Sequence, residues 1–179
     1  KACRIISSIF VDVIRGVPMI VLAYFIYFGV PYCLNNMIGF NFTLTALQAG
    51  TVCLALNCGA YMAEIIRAGI QAVDQGQMEG GRSLGLSYVQ TMKDIILPQA
   101  IKNILPALGN EFIVLVKETS ILGYVAIVDL TKVSDFVISR IFEALAPLLG
   151  TALIYYVIVK FLTLGLNALE RRLRQSDRR

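Results

Sequence analysis

The sequence predicts an all-α membrane protein, a polytopic bundle of transmembrane helices that forms one domain over residues 1–179. Composition gives the first two observations: 57% of the residues are hydrophobic and only 16% are charged, whereas about a quarter of the residues of a soluble domain are charged. The mean hydropathy is +0.71. The third observation is that the apolar residues gather into runs long enough to cross the hydrocarbon core of a bilayer.

Four apolar runs predict about four spans, near residues 17–33, 42–72, 100–118 and 145–169. The first run is expected to end at Gly29 and Pro31, before an uncharged loop. The third contains Pro106, which favours a kinked or broken helix among other helices. Residues 119–143 are mixed in polarity and can hold a short helix outside or partly within the membrane. The chain starts abruptly at Lys1, so we expect that a further, first span is missing.

The second run carries a polar stripe. Asn57, Tyr61 and Glu64 follow one another at positions i, i+4 and i+7, so their side chains share one face of the predicted helix. Polar groups are costly to expose to hydrocarbon, and the stripe is therefore expected to face protein or a water-filled path.

Positive charges predict the orientation of the spans. Residues 170–179 hold five arginines, and Lys and Arg accumulate on the cytoplasmic side of membrane proteins. A tail that binds nucleic acid is the less favoured alternative, and no nucleic-acid partner is predicted. Counting the crossings back from a cytoplasmic C-terminus places residues 74–98 in the cytoplasm. The loop at 34–41, which has no Lys or Arg, is then outside.

Residues 74–98 form a charged, helix-prone stretch between two spans, which we call the elbow. Asp74 with Gln77 three residues later resembles a capping box and predicts a short helix from about Gln75. Gly85 can adopt the left-handed conformation that closes such a helix. The elbow is therefore expected to bend at Gly85.

A second short helix is predicted after the bend. Ser87 with Gln90 three residues later is again a capping pattern. Pro98 disfavours helical geometry at Leu97, so this helix is expected to end there. A solvated loop is the plain alternative, but two caps and several exposed apolar residues favour a docking surface for a soluble partner.

Other classes of function lack their motifs. There is no histidine, the four cysteines match no CxxC pattern, and no metal site is predicted. No phosphate-binding loop of the GxxxxGK[ST] type occurs, so the chain is not expected to hydrolyse ATP. A membrane-embedded enzyme would need a motif such as HExxH or GxSxG. A secondary transporter would normally have more spans and an internal repeat.

The elbow resembles the EAA loop of the membrane subunits of bacterial ABC importers. The motif positions, with their spacing of three, nine and one residues, fall on Glu79, Gly80, Gly81, Gly85, Ile95, Leu97 and Pro98. Two glycines replace the usual alanines, and each lowers helix propensity by about 1 kcal/mol relative to alanine. The first short helix is therefore expected to be softer. The resemblance to the polar amino-acid subfamily covers almost the whole chain, including RGVPMIVLAYFIYFGVP and LPQAIKNILPALGNEFIVLVKETSIL.

This resemblance implies the permease fold of type I ABC importers, with a coupling helix in the elbow. It also implies that the protein is located in the bacterial inner membrane. It implies a non-enzymatic subunit that forms the path of a polar amino acid, while ATP and magnesium bind to a partner. The implied partners are two ATPase subunits, a second permease that is identical or related, an extracytoplasmic solute-binding protein and the lipid bilayer. The residues expected to couple to the ATPase are Glu79, Gly80, Gly81, Arg82, Gly85, Ile95, Leu97 and Pro98.

The solute path is expected to use polar residues of the second and third runs. Ionisable residues inside a membrane are candidates for function, and the set comprises Asn57, Tyr61, Glu64, Asn110, Glu111, Lys117 and Glu118. A zwitterion needs both an acidic and a basic partner, which Lys117 and a glutamate can supply. The alternative is that these residues pair with one another or cap a broken helix.

Overall fold

A computed structural model of the protein describes residues 2–175, with side chains up to residue 171. Lys1, residues 176–179 and the side chains of residues 172–175 lie outside the described part, and with them most of the arginine-rich tail. All regular elements of residues 2–175 are helical. In chain order the α-helices are α1 (Ala2–Gly16), α2 (Met19–Tyr24), α3 (Val30–Met37), α4 (Ala46–Gln71), α5 (Gln75–Ser83), α6 (Tyr88–Thr91), α7 (Leu97–Glu118), α8 (Leu130–Ile141) and α9 (Leu145–Gln175).

Two short π-helical segments join neighbouring helices. Phe25–Gly29 links α2 to α3, and Met92–Ile96 links α6 to α7. The predicted helix ends at Gly29 and Pro31 and at Leu97 are therefore wrong. Proline removes a hydrogen-bond donor and crowds the preceding turn, but the wider π turn just before each proline accommodates both effects. The first apolar helix continues to Met37, and the loop after it begins at Ile38.

Three helices among residues 2–171 are long and apolar enough to cross a membrane: Met19–Met37, Ala46–Gln71 and Leu145–Arg171. Helix α4 begins at Ala46 because Thr45 and Gln48 form a capping box. Helix α7 carries more polar residues and packs between α4 and α9. It stays helical across Pro106, so the broken helix considered for this region does not occur.

Close helix packing depends on small residues. A Cβ atom added to Gly69 of α4 would lie 2.3 Å from Cγ1 of Ile104 in α7. One added to Gly109 of α7 would lie 2.2 Å from Cδ1 of Leu166 in α9. Glycine at these positions lets the helix backbones approach closely, which is how helices gain packing contacts in lipid.

The buried core has two parts. The larger joins α1, α2 and α4 to the 3-10 helix Thr119–Val125, around Ala23, Cys53 and Val125. The smaller joins the elbow to α7, around Val73, Ile96, Ala100 and Ile104. Most large apolar side chains of α9 are exposed in the isolated chain, as expected for a helix that faces lipid or a partner.

Residues 119–143 contain the short helix considered from the sequence. The 3-10 helix Thr119–Val125 leads to Asp129, whose side chain caps α8 at the backbone N–H of Lys132. The Tyr155 hydroxyl of α9 is 3.4 Å from the same carboxylate. Helix α8 is thereby held against α9.

Candidate functional site

The first elbow helix, α5, begins as predicted. The Asp74 side chain accepts a hydrogen bond from the backbone N–H of Gly76 at 2.6 Å. The predicted capping box does not form, because Asp74 caps the N–H of Gly76 instead and the Gln77 N–H bonds to the backbone carbonyl of Asp74. Glu79 is exposed on this helix, while Met78 packs against the smaller core.

The bend at Gly85 has the geometry of a Schellman motif. Gly85 has a φ of +86°, which is the left-handed region that favours glycine. Its N–H bonds to the carbonyl of Arg82, and the N–H of Leu86 bonds to the carbonyl of Gly81. The Arg82 guanidinium also donates to the carbonyl of Leu86 at 3.1 Å. Arg82, predicted for coupling, thus lies in the last turn of α5, and its side chain spans the bend.

The second part of the elbow differs from the prediction. Ser87 and Gln90 form the predicted capping box at the start of α6. Residues 88–118 then remain helical through the π segment into α7. Leu97 and Pro98 therefore lie within a long helix rather than at the end of a short one, and Pro98 is exposed.

The two glycines in the alanine positions of the motif have different surroundings. A Cβ on Gly80 would meet no atom within 4 Å. A Cβ on Gly81 would lie 2.6 Å from Cγ2 of Thr91 and 3.1 Å from Cδ1 of Ile95. Gly81 is thus the point where α5 touches the second half of the elbow, and Ile95 contributes to that contact.

A further contact ties α5 to the long helix. The side-chain amide of Gln99 in α7 donates to that of Gln77 in α5 at 3.3 Å. The opposite side of the bend is open and apolar: Leu84 is 84% exposed, Val89 70% and Tyr88 58%. The elbow is therefore a helix and turn that pack against the long helix on one side and expose an apolar tip on the other.

The predicted path residues that have partners form two groups along α4, one facing α7 and one facing α1. At one level the buried amide of Asn57 donates to a carboxyl oxygen of Glu118 at 2.9 Å. At the other level, two helical turns along α4, Glu64 pairs with Arg67. Glu111 lies within electrostatic range of Glu118. Asn110 and Lys117, in contrast, are exposed on α7.

Arg15 of α1 belongs to the second group, although the sequence did not predict it as a path residue. Its guanidinium lies 3.6 Å from Glu64 and 5.3 Å from the centre of the Tyr61 ring. It is also within electrostatic range of Glu111. The signal was a single arginine before an apolar run, and nothing local indicated that α1 folds back onto α4.

Comparison with known proteins gives consistent matches over nearly the whole chain. The family of binding-protein-dependent transport system inner membrane components matches residues 1–175. The chain is 43% identical to the probable glutamine ABC transporter permease protein GlnM of Bacillus subtilis (strain 168), over 98% of this chain and 78% of that protein. It is 40% identical to the arginine transport system permease protein ArtQ of the same organism, over 96% of this chain and 76% of that protein.

Two solved structures resemble the fold. One, described as an amino acid ABC transporter with histidines, has a TM-score of 0.84 and 44% identity over 94% of this chain and 75% of that chain. The other, the MetNI methionine ABC transporter in an inward-facing conformation, has a TM-score of 0.72 over 95% of this chain and 74% of that chain. At 20% identity, the second supports the fold alone.

Proposed function

The chain belongs to the family of inner membrane components of binding-protein-dependent transport systems. From that premise we propose one function for the elbow and another for the polar residues between α4 and α7. It is the permease subunit of an ABC importer for polar amino acids, and it has no catalytic activity of its own. We propose that the elbow binds a separate ATPase subunit, which holds ATP and magnesium. We further propose that the solute passes along the polar residues between α4 and α7.

The observation that carries the coupling proposal is the uncovered tip of an otherwise well-anchored elbow. Leu84 and Val89 are largely exposed at the bend, while the other side of α5 packs against the long helix. A small apolar patch held on a rigid support is typical of a contact that a partner completes. Glu79, exposed on α5, offers a polar contact beside it.

The internal residues of the elbow have supporting roles in this proposal. Gly81 and Ile95 set the packing of α5 on the second half of the elbow, and Gly85 sets the bend. Arg82 stabilises the bend through Leu86. The motif residues thus divide into an exposed contact, represented by Glu79, and a group that fixes its position.

The charge pattern supports the orientation in which the elbow is cytoplasmic. The loop at 34–41 has no Lys or Arg, whereas the elbow has Arg82 and Lys93, as the positive-inside rule expects. A solute-binding protein then docks on the opposite side. A second permease, identical or related, completes the path.

The solute path is proposed along the face where Asn57 and Glu118 meet. A buried amide and a partly buried carboxyl between two helices are costly unless they are paired or used. A solute ammonium can replace the amide at Glu118, and Glu111 lies near enough to add attraction. Arg15, at the elbow end of the same face, supplies a cation for a solute carboxylate.

Co-purification tests the coupling proposal. The chain is expressed with its ATPase subunit, extracted in mild detergent and compared with Gly85→Pro, because proline cannot adopt a φ of +86°. The native chain is expected to retain the ATPase and the variant to lose it. Gly39→Pro is the matched control, since Gly39 also has a positive φ, +73°, but lies in the loop after α3.

The outcomes separate the possibilities clearly. Loss of the ATPase in both variants, or retention in both, contradicts a specific role of the elbow. If uptake follows an ion gradient and not ATP hydrolysis, a secondary transporter replaces the proposal. For the path, Glu111→Gln and Glu118→Gln are expected to reduce uptake or change its selectivity in complexes that still hold the ATPase. Unchanged transport removes the residue concerned from the path.

A further inference from the structure

A line of contacts, which we call the seam, joins α5 to the long helix that follows the bend. Its residues on the long helix are four positions apart: Thr91, Ile95 and Gln99. Thr91 and Ile95 both lie against the Cβ position of Gly81, and Gln99 donates a hydrogen bond to Gln77. The two helices run in opposite directions here, and each contact lies about one helical turn from the next. The seam therefore extends along α5 from Gly81 to Gln77.

Thr91 makes the tightest contact of the seam. Its side chain is fully buried, and a Cβ atom added to Gly81 would lie 2.6 Å from its Cγ2. Its hydroxyl donates to the carbonyl of Ser87 at 3.0 Å, and the same carbonyl accepts the backbone N–H of Thr91. The hydroxyl is thus satisfied within its own helix, and the methyl group is the part of the side chain closest to α5.

The π segment Met92–Ile96 keeps the seam straight. Residues four apart in an α-helix are offset by about 40° around the axis, so a longer line of such residues drifts away from its partner. The wider i→i+5 turn of a π segment rotates less per residue. Thr91 and Ile95 consequently face the same residue, Gly81. Short π segments inside α-helices frequently lie at functional sites.

We propose that Thr91 is a positioning residue for coupling: it fixes α5 on the long helix, so that a displacement of the elbow tip moves both as one body. This role rests on the proposed function, because it presupposes that the ATPase binds the elbow. Apart from the seam, α5 is held by the bend at Gly85 and by Met78, whose side chain is flexible. Coupling between distant sites is carried by packed side chains and rigid elements. A loosened seam lets the ATPase move α5 without moving the long helix.

Size changes at Thr91 test the proposal in the reconstituted importer, through the number of solute molecules imported per ATP hydrolysed. Thr91→Ser removes the methyl group and leaves a gap, so this ratio is expected to fall at least threefold while the ATPase stays bound in detergent. Thr91→Val keeps the methyl group and is expected to keep the ratio within twofold of native. Thr51→Ser is the matched control, because the Thr51 hydroxyl also bonds to the carbonyl four residues earlier but is exposed on α4.

Moving the methyl group from one helix to the other gives a second test. Gly81→Ala alone overpacks the contact and is expected to lower the ratio as well. In the double variant with Thr91→Ser, the alanine methyl takes the place of the one removed, and at least half of the native ratio is expected to return. Rescue of this kind requires contact between the two residues, whereas independent losses of helix stability would add. Gly59→Ala, whose Cβ meets no atom within 4 Å, is the control for the glycine change.

The outcomes distinguish this proposal from the function on which it rests. A native ratio in Thr91→Ser, or a double variant no better than the worse single variant, overturns the role of the seam while ATPase binding stands. Equal losses in Thr91→Ser and Thr91→Val would assign the effect to the hydroxyl and also overturn it. Loss of the ATPase from Thr91→Ser in detergent would mean that the seam serves docking rather than transmission. If the native chain itself retains no ATPase, the proposed function of the elbow fails, and the role of Thr91 fails with it.

Discussion

The hydrogen bond between Asn57 and Glu118 yields a quantitative prediction. Asn57 is only 4% exposed, and its amide lies 2.9 Å from the carboxyl oxygen of Glu118 on another helix. Neutral interhelical hydrogen bonds in membranes average about 0.6 kcal/mol, whereas bonds to charged groups in proteins contribute about 1.5–3 kcal/mol. We expect Asn57→Ala to lower the free energy of unfolding by about 1–2 kcal/mol, between these two ranges.

A double-mutant cycle tests the physical reason. Unfolding is followed by titration with a denaturing detergent, for the native chain and for Asn57→Ala, each with and without Glu118→Gln. Glutamine keeps an acceptor but removes the ionisable carboxyl, so the effect of Asn57→Ala is expected to fall to about 0.6 kcal/mol in that background. Asn110→Ala, at an exposed position of α7, is the matched control and should change stability by less than about 0.5 kcal/mol.

Two results would refute this reasoning. A loss below about 0.5 kcal/mol for Asn57→Ala would mean that the bond contributes no more than an ordinary surface contact. Equal losses in the two backgrounds would mean that the carboxyl of Glu118 is not what makes the bond strong. In either case the pair would not be a costly buried feature that needs a functional explanation.

Three further predictions concern glycines. Gly80→Ala should stabilise α5 by about 1 kcal/mol, because its Cβ position is open; slower amide exchange over residues 75–83 would confirm it, and unchanged exchange would contradict it. Gly69→Ala should destabilise the chain by about 1–3 kcal/mol through its clash with Ile104, while Gly59→Ala, with open space, should not. At Gly85, asparagine should weaken ATPase binding less than alanine, because asparagine tolerates the left-handed conformation better; the reverse order in a binding titration would contradict it.

The sequence predicted the helix starts and the bend of the elbow correctly, because each depends on residues within about four positions of one another. The caps at Asp74 and Ser87 and the bend at Gly85 depend on side chains and backbone groups that are neighbours in sequence, so the pattern specifies the geometry. The roles of the motif residues in ATPase coupling stay predictions, because they depend on a surface of another subunit. The same holds for the orientation and for the path residues.

Proline was the local signal that misled. Pro31 and Pro98 both predicted a helix end, yet each follows a π segment and lies within a continuing helix. Whether a helix breaks or widens at proline depends on how the surrounding helices pack. The neighbouring Ile96 is almost fully buried in the smaller core. Tertiary contact of this kind holds the chain helical and leaves no trace in the local pattern.

Contacts between distant segments were the other part that could not be predicted. Arg15 reaches Glu64 only because α1 folds back along α4, across 49 positions of the sequence. The reason for glycine at position 81 is likewise a contact with Thr91, which the motif spacing alone does not reveal. The sequence identified the residues that carry charge or conformational freedom, but not the partners of each.

The continuous helix through residues 88–118 makes the elbow one arm of a lever. At 1.5 Å per residue the rod is about 45 Å long, and the tight contact of Gly69 with Ile104 lies near its middle and can act as a fulcrum. The arm from Ile104 to Glu118 is about 21 Å, so a tilt of about 5° at the elbow displaces Glu118 by roughly 2 Å. A displacement of this size along the N···O direction breaks a hydrogen bond of 2.9 Å. Pressure on the elbow would thereby release the Glu118 carboxyl from Asn57 at the far end of the rod.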